Sequence, residues 1–266
     1  MATRYPIIQL SWKDKSAFIS LMANAFSPDP LFNKLFIHNQ TPLAATNRVK
    51  AFLSFMFDMS MLGGSNACGI FDGDRLTGCY LLEVPGKNSF LRVMGTILTL
   101  IRALVLPFQI SVRSFKLVND YMRITRATVP HGRHYYLAMI GVHETARGQG
   151  FGKALMQDII GRVEHDEQAV GISLDTENCA NVGFYEHFGF ALQKEVCLDG
   201  LAVYCMLRKQ VDGFGVEKGS IEIGESVQPS GQAGRAKSGA PLTSAVLSLP
   251  QRLPPSCLAS LFLIML

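Results

Sequence analysis

Three observations predict an α/β chain. A strand, a glycine-rich loop, a helix and a second strand follow one another from residue 134. Two pairs of strand-like runs are joined by Asp-Gly turns, and the first 62 residues carry helical apolar stripes.

The N-terminal stretch "SWKDKSAFISLMANAF" opens on a Ser-x-x-Asp capping signal. Phe18, Leu21, Met22 and Ala25 then share one helical face. "SPDPLFNKLF" breaks the chain at Pro28 and Pro30 and restarts it. A second helix is expected over about 45–62, striped by Val49, Phe52, Phe55, Met56 and Met59 and stopped by the Gly pair at 63–64. "NACGIFDGDRLTGCYLLEV" reads as a hairpin, because Asp-Gly supplies the positive φ of a tight turn.

Residues 86–130 read as a helical insert with a weaker pattern. "VMGTILTLIRALVLPFQI" (93–110) is apolar nearly all round but interrupted by Arg102 and Pro107. A membrane span needs about 20 such residues, so a buried or interfacial helix is expected, with membrane association as the lesser reading. From 134 the chain runs strand "HYYLAMIGV", glycine loop, helix "GFGKALMQDIIGRVEHD" and strand "VGISLD". Leu155, Ile159 and Val163, four apart, form the buried helix face. A short helix near "NVGFYEHF" and a hairpin turned on Asp199-Gly200 complete a domain at 1–209. The segment 210–266 is rich in Gly, Ser and Ala, lacks aromatics between Phe214 and Phe262, and is predicted to be disordered. Its short apolar end, "CLASLFLIML", falls below spanning length.

Composition narrows the function classes. The chain has 266 residues, 48% hydrophobic and 17% charged, against roughly 25% charged in average soluble domains; mean hydropathy is +0.20. A formal charge of +4, spread without a dense basic cluster, argues against a nucleic-acid partner. Six cysteines without a CxxC pair suggest reduced thiols. The early "KDK" argues against a signal peptide, so a cytoplasmic location is expected.

"GVHETARGQGFGKALM" (141–156) places Gly148, Gly150 and Gly152 between strand and helix, where backbone N–H groups and a helix dipole favour an anion. A P-loop needs Gly-x-x-x-x-Gly-Lys-Ser/Thr, which fails here in spacing and hydroxyl. A dinucleotide loop needs Gly-x-Gly-x-x-Gly, but Lys153 stands where its third glycine belongs. Asp175 does end the next strand where a ribose-binding acid would sit, yet too little folded chain follows for several more βα units.

Arg147-x-x-Gly150-x-Gly152 matches the Arg/Gln-x-x-Gly-x-Gly/Ala signature of the GNAT superfamily of N-acetyltransferases. A second block, "DTENCANVGFYEHFGF", resembles that family's Asn…Phe-Tyr-x-x-x-Gly-Phe element in Asn181, Phe184, Tyr185, Gly189 and Phe190. "AFSPDPLF" and "HYYLAMIGV" also look like members of this family. The resemblance spans about 1–209 and is weakest over 86–130. It implies a mixed, mostly antiparallel twisted sheet of about seven strands, flanked by helices and splayed in the middle to hold acetyl-CoA. It also implies transfer of an acetyl group to a small-molecule or peptide amine without a metal, by a monomer or homodimer.

The family likeness further implies that the backbone of Ile140, Gly141 and Val142 binds the pantetheine arm. The N–H groups of Arg147, Gly148, Gln149, Gly150, Phe151 and Gly152 would take the pyrophosphate, with the Arg147 side chain reaching a phosphate or standing free in solvent. Asn181 would touch the cofactor arm, or cap a helix. Tyr185 is the expected general acid at the departing sulfur, with an aromatic packed in the core between Phe184 and Phe188 as the alternative. The family's usual base positions hold Tyr136 and Ala138, so His134, on the same strand face, and Glu83, ending the earlier hairpin, are the candidate bases. A water chain is the alternative to both. The apolar insert suggests a hydrophobic wall and a greasy or aromatic amine. The missing base also keeps open a non-catalytic acyl-CoA-binding or interaction module.

Overall fold

A computed structural model describes residues 5–37, 40–63, 66–85, 110–129 and 132–210. Strands β1 (Ile7–Gln9), β2 (Asn66–Asp72), β3 (Arg75–Glu83), β4 (His134–Val142), β5 (Gly171–Thr176), β6 (Ala191–Leu198) and β7 (Leu201–Lys209) form one sheet, ordered β1-β2-β3-β4-β5-β7-β6. Every neighbouring pair is antiparallel except β4–β5. One parallel pair is far short of a dinucleotide fold. The mixed, mostly antiparallel seven-stranded sheet expected from the sequence is present.

Helices cover both faces. Helix α1 (Lys15–Ala25) follows a short 3-10 turn in which the Ser11 N–H and hydroxyl both donate to Asp14 Oδ2, the anticipated start signal. Helix α2 (Pro42–Gly63) runs a little longer than its stripe predicted. It buries Phe52, Leu53, Phe55, Phe57 and Met59 against Phe18, Leu21 and Met22 of α1 on one side of the sheet. Helix α3 (Val112–Arg126) lies near the same layer and contributes Val118. On the other face, α4 (Phe151–Glu164) inserts Leu155, Ile159 and Val163, all fully buried as the four-residue spacing predicted. Helix α5 (Cys179–Glu186) buries Tyr185 there.

Both tight turns form where Asp-Gly places them. Asp72 pairs with Arg75 across Gly73-Asp74, and Leu198 pairs with Leu201 across Asp199 (φ 51°) and Gly200 (φ 78°). At the second turn two consecutive positive φ values match the right-handed strand twist of a two-residue hairpin, whereas at the first only Gly73 (φ 58°) is left-handed. Gly141 has a packing role: a Cβ there would lie 2.8 Å from Met22 Sδ and 3.0 Å from Ala25 Cβ, so its absence lets α1 sit close on β4.

Of the insert, residues 110–129 are described and hold α3, while the apolar run through 109 lies outside the described residues, as does the segment from 211. Among the described residues, no helix is long and apolar enough to cross a membrane. The five cysteines described are free thiols.

Candidate active site

The site begins where the sheet opens. Strand β4 pairs with β5 only at His134–Gly171, Tyr135–Ile172 and Tyr136–Ser173. Its other edge stays on β3 as far as Val142–Gly78. Beyond Tyr136 the two strands therefore part, and one edge of β4 from Leu137 onward lacks a strand partner among the described residues. A register shift on the β3 side, from Leu81–Met139 to Leu82–Leu137, leaves Ala138 as an extra residue at the parting. Such a bulge bends its strand and sharpens the twist, which turns β4 away from β5.

The gap leads into a cavity of about 140 Å³, walled by Leu137 to Ile140 of β4 and Leu174 to Glu177 at the end of β5. Phe26, Phe32, Phe52 and Met122 add apolar wall, and Asn181 and Tyr185 project from α5. Tyr185 is 7% exposed, with ring contacts to Phe184 at 5.4 Å and Phe190 at 6.0 Å. It is thus both a core aromatic and a cavity residue. Burial, then the charges of Asp175, Glu177 and Asp29, push its phenol well above the usual range, so it carries its proton at neutral pH.

Past Val142 the chain makes the turn Glu144–Ala146 and then the glycine loop. Gly148 (φ 77°) and Gly150 (φ 89°) hold left-handed backbone, and a Cβ at either would meet nothing within 4 Å. The loop is thus glycine-bearing for conformation, not for internal packing. Gly150 N-caps α4, whose first turn leaves its N–H groups without intrahelical acceptors. The N–H groups of Arg147 and Gln149 close turns onto Glu144 O and Ala146 O at 3.3 and 3.4 Å. Phe151 is buried beneath the loop against Tyr5, ring centroids 4.4 Å apart. Arg147 is exposed and donates to Ala25 O at the end of α1 at 3.4 Å.

Two expectations need correction. Asn181 does not cap α5: the cap is Asn178, whose side chain accepts from Ala180 N, while Asn181 lies inside the helix and donates to Thr176 Oγ1 at 3.4 Å. Alternation does not carry from Tyr136 to Ala138, because the bulge intervenes. His134 is absent from the cavity lining and its Nδ1 sits 3.0 Å from Gly132 O; burial lowers its pKa.

Glu83 does reach the cavity, but its Oε1 accepts from Arg126 Nη2 at 2.5 Å and both side chains are buried. Burial raises its pKa and Arg126 pulls it back. The Arg126 guanidinium also lies 3.4 Å above the Tyr136 ring, a cation–π contact. Tyr136 thus helps hold a cation in place.

Sequence reasoning missed a group of polar residues at the far end of the cavity. Tyr121 of α3 places its hydroxyl within bonding reach of both Asp175 Oδ2 and Glu177 Oε1. Asp29, which caps the turn Pro30–Phe32 by accepting from Phe32 N at 3.0 Å, adds a third carboxylate. Burial raises the pKa of Asp175, while Tyr121 and Arg126 lower it. Glu177 is raised by burial and then by Asp175 and Asp29. "AFSPDPLF" and "SLDTE" carry these carboxylates, but neither run shows that they meet.

Comparison with known proteins adds the family. Residues 70–190 match the model of the acetyltransferase (GNAT) family. Among solved structures, a histone acetyltransferase HPA2 and related acetyltransferase from Corynebacterium glutamicum is similar at TM-score 0.55 and 15% identity, over 79% of this chain and 99% of that one. The ribosomal-protein-S18-alanine N-acetyltransferase from Escherichia coli is similar at TM-score 0.45 and 12% identity, over 77% and 92%. A GNAT family acetyltransferase from Brucella melitensis, solved in complex with acetyl-CoA, gives TM-score 0.39 and 12% identity, over 76% and 86%. No curated protein matches in sequence. The match over residues 70–190 and the fold shared with the Corynebacterium protein agree with the splayed sheet and with a GNAT acetyltransferase domain in that stretch.

Proposed function

We propose that the protein is an acetyl-CoA-dependent N-acetyltransferase that acts on a primary amine by direct attack in a ternary complex. The observation that carries this is the buried Tyr185, its proton retained, on the cavity that opens where β4 and β5 part. Acetyl-CoA supplies an acetyl thioester. The unpaired edge of β4 at Ile140, Gly141 and Val142 offers backbone groups to a strand-like pantetheine arm. The left-handed glycines and the start of α4 present N–H groups to a pyrophosphate, with Gly148, Gly150 and Gly152 allowing close approach and Arg147 at the rim.

In this reading the amine lone pair forms the new C–N bond and the C–S bond breaks, its electron pair leaving on sulfur. Tyr185 donates the proton that sulfur needs, and the proton shed by the amide nitrogen restores the tyrosine. Apolar walls suit an acceptor with a greasy or aromatic body.

The presence of Tyr136 over Arg126, where the family often has a base, favours one other reading: an acyl-CoA-binding module without turnover. A coenzyme A release assay over an amine panel separates the two. The enzyme reading expects turnover in the wild type and a large fall in Tyr185→Phe at unchanged acetyl-CoA affinity. Tight acetyl-CoA binding with no turnover on any amine would favour the module.

A further inference from the structure

We propose that Asp175 and Glu177, held together by Tyr121, seat the acceptor's ammonium group and remove its proton. This rests on the N-acetyltransferase reading and supplies the base that His134 and Glu83 do not readily provide.

Four carboxylates face the cavity, Asp29, Glu83, Asp175 and Glu177, against the single guanidinium of Arg126; Tyr121, Tyr136 and Tyr185 complete its titratable groups. Arg126 is already engaged by Glu83 and stacked on Tyr136. Asp29 is engaged as a helix cap. What remains is an acidic end centred on Asp175 and Glu177, which attracts a cation and repels an acceptor with a carboxylate near its amine.

Hydrogen-bond capacity is also unmet around this cavity. Arg126 Nε and Nη1, whose guanidinium stacks on the Tyr136 ring, are buried donors without partners. Asp175 Oδ1 and Glu83 Oε2 are buried acceptors without partners, and the Tyr136 hydroxyl, on a residue 5% exposed, is likewise unpartnered. All three residues line the cavity. Buried polar atoms are normally satisfied, and acceptors at the end of a cavity call for a donor. A primary ammonium brings three N–H groups.

The bond pattern also shows a proton store. Tyr121 has one hydroxyl hydrogen yet bridges two carboxyl groups. It donates to one, and the second contact is a hydrogen bond only when that carboxyl carries a proton itself. When both contacts are hydrogen bonds, one of the two carboxyls carries a proton and one charge is left to meet the ammonium, and the pair titrates as a unit. Burial and mutual repulsion raise both carboxyls, bringing them nearer an amine's range than an exposed carboxylate would be. In the step itself one N–H bond breaks, its electrons stay on nitrogen, and the proton goes to the ionised carboxyl oxygen and later to solvent. Tyr185, whose own titration feels these charges, lies on the same cavity.

The test uses the full chain with Glu177→Gln, Asp175→Asn and Tyr121→Phe, measuring acetyl-CoA affinity by calorimetry and turnover by thiol release. Benzylamine, cationic at neutral pH, is compared with aniline, which has no such proton to lose. We expect kcat/KM for benzylamine to fall by about 10²–10⁴ in the carboxyl variants, with acetyl-CoA affinity and the aniline rate unchanged. Tyr121→Phe should move the acidic limb of the kcat/KM profile without abolishing turnover. Equal losses on both amines, or an unmoved acidic limb in all variants that fold, would overturn the assignment while leaving wild-type turnover intact. Absence of wild-type turnover on every amine would instead overturn the enzyme reading on which it rests.

Discussion

The two ends of the opened sheet are built from different materials. Beyond Val142 the glycine-loop end is mostly backbone: two left-handed glycines, the first turn of α4 and one exposed arginine. Where β5 ends, the cavity is built from buried side chains of β3, β4, β5, α3, α5 and the Pro30 turn, with charges facing one another. A backbone site tolerates changes in its neighbours, because peptide groups are always present and only φ must be kept. A side-chain site depends on each member, because a buried charge left alone costs several kcal/mol.

The sharpest way to break this contrast is Glu83→Gln. It leaves the Arg126 guanidinium buried without its carboxylate, and an expected loss of about 3–5 kcal/mol should appear as a depressed denaturation midpoint. A well-folded variant with no turnover would instead move the base to Glu83. Next comes Tyr185→Phe, for which kcat should fall about 10²–10⁴ at saturating acetyl-CoA, with KM for acetyl-CoA unchanged; an unaltered kcat would return Tyr185 to the core alone.

At the backbone end the effects should be smaller and confined to the cofactor. Gly150→Val forces a branched residue into left-handed φ at roughly 1–2 kcal/mol, or about 5–30-fold. That should read as weaker acetyl-CoA binding with kcat recovered at saturation; a lost kcat would mean that loop and cavity are not separable. Arg147→Ala should weaken acetyl-CoA only a few-fold, in a salt-dependent way.

The smallest effect carries a sign. Glu177 has a raised pKa in the fold, so its contribution to stability is present below the ordinary glutamate range and is lost as pH rises through the folded value. Glu177→Gln should therefore gain about 1 kcal/mol at pH 8, roughly 2–4 °C in Tm. The gain should vanish near pH 4, where both side chains are neutral. Thermal scans at the two pH values check it.

The same difference in material explains what could be read from sequence. The glycine loop, both Asp-Gly hairpins and the α4 face are local: their signals lie within a few residues of one another. The bridge from Tyr121 to Asp175 and Glu177 joins positions 54 and 56 apart, and Arg126 to Glu83 spans 43. Neither leaves a local pattern, and both pass through α3, in the stretch where periodicity was weakest. The Ala138 bulge was hidden for another reason. An alternating strand and a bulged one share a composition, so register appears only when the partner strand is in place.

The short joint between β4 and β5 has a mechanical consequence. Three residue pairs weld the four-stranded half of the sheet to the three-stranded half. Helix α3 ties in on both sides of that weld: Arg126 holds Glu83 of β3, and Tyr121 holds Asp175 of β5. Helix α3 is in effect a strut across the mouth between two plates, and its polar grip on the second plate is the Tyr121–carboxyl contact, backed by packing on Val203 and Cys205.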